Sequence, residues 1–148
     1  MATAETSRAS TEVVEQVKVE WLDRLSTLVN TVRRWGESLG WATRRIETKL
    51  KDSLIGTHIV PALLLQEGTT RIILQPVGRL AIGAEGVVEL YVMPAYDDIA
   101  TLYYHDGCWY LNHAAPGQPN PVDPRQADRP LTEEVFQDVL NALIAHES

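Results

Sequence analysis

Residues 57–113, THIVPALLLQEGTTRIILQPVGRLAIGAEGVVELYVMPAYDDIATLYYHDGCWYLNH, decide the fold. Runs rich in Ile, Val, Leu and Tyr alternate there with glycine, proline and acidic turns, the pattern of short strands joined by tight links. Five strands are expected, at His58–Gln66, Thr70–Val77, Val87–Met93, Ile99–His105 and Cys108–His113. Pro61 marks an edge position or a bulge, because proline has no N–H to give to a ladder. Asp106 and Gly107 suit the positive φ angles of a type I′ turn, so the last two strands form a hairpin. Parallel neighbours would need long crossovers, so a mostly antiparallel meander is implied.

An apolar sheet face must be covered, and helical patterns flank this region on both sides. Residues 1–10 read as a disordered tail. From about Thr11 to Leu39, Leu22, Leu25, Val29, Val32 and Leu39 follow a 3–4 spacing, with Val14, Trp21, Leu28 and Trp35 on an adjoining row. A helix of that length, roughly 42 Å at 1.5 Å per residue, exceeds what a five-stranded sheet requires. Its surplus turns must fray, bend or pack on another subunit. Gly40 is a natural stop. A second, shorter helix is expected from Trp41 to about Leu54, with Ala42, Ile46, Leu50 and Leu54 on its apolar side.

Residues 114–130 hold five of the eight prolines and read as an extended arm. A last helix is expected over 131–146, packed on the sheet, with Thr132 as N-cap and Glu133 and Glu134 complementing the helix dipole. The expected fold class is therefore α+β, with one domain over 11–148 divided into a helical part (11–55), a sheet (57–113), the proline-rich arm and the C-terminal helix.

At 148 residues and 16.5 kDa the chain suits one domain. No apolar run reaches the roughly 20 residues that span a bilayer, and the first ten residues lack a signal-peptide core. No membrane and a cytoplasmic location are the expectations. Cys108 is the only cysteine, which excludes an internal disulfide and a zinc site built on several thiolates. Ten Arg against three Lys hint at a GC-rich bacterial genome.

The net charge of −7 is unevenly placed. Residues 1–56 carry nine Lys/Arg against eight Asp/Glu, and residues 57–148 carry four against twelve. An acidic body with one mildly basic segment should be repelled by nucleic acid except locally.

Candidate chemistry is sparse. Across the predicted hairpin, His105 pairs with Cys108, while His113 lies about 16 Å up the strand at roughly 3.3 Å per residue. The three cannot share one coordination sphere. The carboxylates Asp97 and Asp98 lie at the opposite end of a strand from Asp106, and no lysine follows Lys51 to complete a nuclease-like set. Gly83-Ala84-Glu85-Gly86 lacks the basic centre and flanking helices of a nucleic-acid clamp. Phosphate-binding glycine loops and a Gly-x-Ser-x-Gly elbow are missing. No catalytic residue, metal or cofactor is assigned.

Two positive signals remain. Gly36, Leu39, Gly40, Trp41 and Ile46 have the spacing of a helix-turn-helix, which would place Thr43, Arg44, Arg45, Glu47, Thr48 and Lys49 on a DNA-facing helix. Aromatic residues either fill the helix–sheet core or anchor a partner. Trp21, Trp35, Tyr103, Tyr104 and Tyr110 are the candidates, and adjacent Tyr103 and Tyr104 must point to opposite faces.

The leading expectation is a non-enzymatic protein-binding or accessory module, self-associating through the long helix, an aromatic sheet face, or both. DNA binding through residues 35–50 comes second. A small-molecule pocket or enzyme between sheet and helices, using Tyr91, His105 and Cys108, comes third.

Overall fold

Alternating apolar residues in 57–113 become strands where the pattern places them, but the sheet is larger than the pattern suggests. The computed structural model describes residues 2–113 and 129–147, with side chains for 10–113 and 129–146. Its elements are α1 (Ala2–Ser38), β1 (Ala42–Leu50), β2 (His58–Glu67), β3 (Thr70–Gly78), β4 (Val87–Val92), β5 (Ile99–His105), β6 (Cys108–Asn112), β7 (Arg129–Pro130) and α2 (Glu133–Glu147). Seven strands form one sheet in chain order, every neighbour antiparallel. The expected class, α+β with an antiparallel meander, holds, with seven strands instead of five.

Two expectations need correction. The short helix expected over Trp41–Leu54 is the edge strand β1, paired with β2 from Ala42↔Gln66 to Leu50↔His58. Ile46 and Leu50, four apart, fit one helical turn and two strand repeats equally well. Pairing with the strongly apolar β2 decides between them. Helix α1 begins at Ala2 and so takes in the stretch 2–10 that read as a tail. Most of the proline-rich arm, 114–128, lies outside the described residues. Its end, Arg129–Pro130, adds a short seventh strand to β6.

One sheet face carries the core. Leu63, Leu74, Leu90 and Ala100 lie side by side across β2 to β5. Pro76, Val88, Leu102 and Leu111 form a neighbouring row. The apolar residues of both rows are buried, together with Leu25, Val29 and Val32 of α1 and Phe136, Val139, Leu140 and Leu143 of α2. Both helices therefore cover the same face. Each fully buried leucine is worth about 1.5–3 kcal/mol relative to exposure.

Local devices fix the geometry. The Asp106-Gly107 turn has φ of 52° and 78°, and His105 pairs with Cys108, as a type I′ hairpin demands. Pro61 falls where β2 is not paired with β3, whose register with β2 starts at Leu63. At the start of α2, the Val135 amide donates to the Thr132 hydroxyl at 3.2 Å, so Thr132 is the N-cap.

Candidate functional site

Helix α1 divides into two halves with different surroundings. From Trp21 onward, Leu25, Leu28, Val29, Val32 and Gly36 are buried. Trp21 is 1% exposed, and its indole N–H donates to His58 Nε2 at 3.2 Å. An indole only donates, so Nε2 must accept and the His58 Nδ1–H donates to the Gly56 carbonyl at 2.8 Å. A Cβ at Gly36 would stand 2.6 Å from Leu65 Cδ2, so the missing side chain is what lets α1 close onto β2. The helix ends in a Schellman motif. The Trp41 amide donates to the Gly36 carbonyl and the Gly40 amide to the Glu37 carbonyl, with Gly40 at φ 93°.

Upstream of Trp21 no described side chain is buried. Val13 and Val19 are 57% and 55% exposed, while Val14 and Val17 are half-buried. Of the expected interaction residues, Trp21 is thus a core residue. Trp35 is half-buried with its ring 5.8 Å from that of Phe136.

The residues proposed for a DNA-reading helix stand on β1 instead. Residues 35–50 form a helix end, a turn and a strand, so no recognition helix exists there. Thr43 donates to Glu37 Oε1 at 2.8 Å, and Arg33 Nε reaches the same oxygen at 3.0 Å. The Thr43 hydroxyl, followed by Arg33, holds the Glu37 carboxyl below its ordinary value. Arg45 donates to the Ser26 hydroxyl at 3.2 Å. Arg44, Glu47 and Lys49 are exposed and Thr48 half-buried. Charged side chains on an open edge discourage strand addition from another chain.

Beyond β1, Asp52 organises the loop into β2. Its Oδ1 accepts from the Leu54 and Ile55 amides at 2.8 and 2.9 Å, and its Oδ2 from Arg79 Nε at 2.9 Å. Burial alone would push this carboxyl up. The hydrogen bonds from Arg79 and the two amides outweigh it, so Asp52 sits below its ordinary value.

The second sheet face carries Tyr91, Glu89, Thr101, Tyr103 and Tyr110, and neither α1 nor α2 packs on it. Tyr103 pairs with Tyr110 across the hairpin, and His105 stacks on Tyr110 at 4.0 Å between ring centres. Tyr96 packs edge-on to Tyr91 and donates its hydroxyl to Glu89 at 2.5 Å. That carboxylate pushes the Tyr96 phenol up to about 12. Tyr104 belongs to the opposite, helix-covered side, under the Arg24 guanidinium at 4.0 Å.

The three candidates for pocket chemistry do not converge on a cavity between sheet and helices. Tyr91 and His105 are on the far face, and Cys108 is exposed at the hairpin end. His113 is elsewhere, with Nε2 2.8 Å from Asp98 Oδ1. Asp98 is 7% exposed, and its Oδ2 has no hydrogen-bond partner among the described residues. Among the described residues no three His, Cys, Asp or Glu side chains are grouped as a metal would require. No described helix is long and apolar enough to cross a membrane.

A solvent-open cavity of about 670 Å³ does lie between α1 and the end of the β5–β6 hairpin, with Pro130 and Leu131 also lining it. The third sequence expectation named a pocket between sheet and helices, but of its candidates only Cys108 is among the lining residues, because the two walls are far apart in the chain. Val13, Val17 and Val19 were missed for a different reason. Val17 falls on the row of Val14, Trp21 and Leu28, whereas Val13 and Val19 lie off it, and that mismatch was itself the available signal.

Comparison with protein-family models, with curated proteins and with solved structures found no match for this chain.

Proposed function

We propose that this protein is a non-enzymatic protein-binding module that associates with a second copy of itself through the N-terminal half of α1. The supporting observation is the split within that helix. Its 37 residues extend about 56 Å at 1.5 Å per residue, while burial begins only at Trp21. The preceding stretch is rich in Val, Thr and Ser, which are weak helix formers. A helix of such composition draws its stability from packing on something else. In this chain the sheet is already covered by the later turns, and a second copy offers the same valine-bearing surface in return.

Sedimentation equilibrium over the micromolar range tests the reading. A dimer is expected, and Val13→Asp with Val17→Asp should shift it to monomer while leaving the denaturation midpoint close to that of dilute, monomeric wild type. A wild-type protein that stays monomeric throughout would end the self-association reading.

A further inference from the structure

We propose that the cavity between α1 and the β5–β6 hairpin binds an amphiphilic organic cation: an ammonium head at the Glu20–Asp23 end and an apolar chain running toward Trp35. The inference is independent of self-association. The volume of about 670 Å³ falls within the usual range for small-molecule sites.

The order of side chains along α1 sets the polarity of the ligand. Glu20, Asp23 and Arg24 line one end, Thr27, Leu28 and Thr31 the middle, and Trp35 the other end, over about 22 Å of helix. The facing wall supplies Trp109 and Leu131, which suit a chain rather than a polar body. An extended molecule with charge at one end matches this gradient. A compact polar one does not.

The charge of the head follows from what is already committed. Among the described residues Arg24 is the one cation lining this cavity, and it is engaged twice, over the Tyr104 ring at 4.0 Å and to the Glu85 carbonyl at 2.8 Å. Neither Glu20 nor Asp23 has an ion pair among the described residues. Glu20 accepts only a 3.4 Å hydrogen bond from Gln16. Glu20 and Asp23 are exposed there and outnumber Arg24, whose partners are uncharged, so the net negative charge of that end favours a cation. The Arg24–Tyr104 stack shows that this wall tolerates one against an aromatic face.

The test uses the full-length protein and three ten-carbon probes below their micelle concentrations: decyltrimethylammonium, uncharged decyl maltoside and decanoate. Quenching of tryptophan fluorescence reports binding, because Trp35 and Trp109 line the cavity. The ammonium is expected to saturate with a dissociation constant of about 1 mM or tighter. Decyl maltoside should bind at least about fivefold more weakly, and decanoate should not saturate.

Glu20→Gln with Asp23→Asn should weaken the ammonium about three- to tenfold and leave decyl maltoside unchanged, as expected for partly exposed ion pairs. A variant that had merely lost its fold would lose both. Equal affinity for all three probes, or an unchanged ammonium affinity in the double variant, would overturn the proposal.

Discussion

The two halves of α1 obey one backbone rule and meet different fates. From Trp21 to Gly36 the helix is held by buried contacts, a bonded indole and a glycine that admits close approach. Before Trp21 it has the same hydrogen-bond ladder with exposed valines and no described buried side chain. Helical geometry is therefore not a measure of how much an element contributes to the fold. The later half is packed into the core, and the earlier half stays largely exposed.

Substitutions at the two ends should separate those contributions sharply. Trp21→Ala removes the largest fully buried side chain and leaves His58 Nε2 without its donor. A loss of about 3–5 kcal/mol is expected by urea denaturation. Gly36→Val should cost about 1–3 kcal/mol, because the added atoms meet Leu65 Cδ2, itself fully buried.

Asp52→Ala, away from α1, calibrates the scale. Losing the turn hydrogen bonds and the Arg79 contact should cost about 1–2 kcal/mol at neutral pH. Because the folded carboxyl is held below its ordinary value, its stabilisation is present above about pH 4. It is lost as the pH falls through the depressed folded value. The difference between wild type and Asp52→Ala should therefore shrink in acid denaturation series below about pH 4.

Val13→Ala should change stability by less than about 0.5 kcal/mol. A large effect at Val13 in dilute, monomeric protein would erase the contrast between the halves.

The sheet was legible from sequence where local signals agree. Asp106-Gly107 specified its hairpin because few residue pairs accept two positive φ angles. Thr132 and Gly40 marked helix ends through capping chemistry that acts within one turn. The exclusion of a shared site for His105, Cys108 and His113 also followed from strand geometry, and the structure places His113 on Asp98 instead. By contrast, β1 was unreadable because its apolar residues serve two periods at once. Nothing local in the sequence sets Arg24, Glu20 and Asp23 apart from other charges on α1; only the hairpin opposite them, distant in the chain, does.

From the chain alone, then, came the alternation that makes ribbons, the turns that reverse them and the stops that end helices. These depend on side chains a few residues apart. Tertiary structure decided which face both helices cover, that residues 42–50 join the sheet, and that α1 outruns its core. Each of those depends on free energy gained between segments distant in sequence, and no local pattern records it.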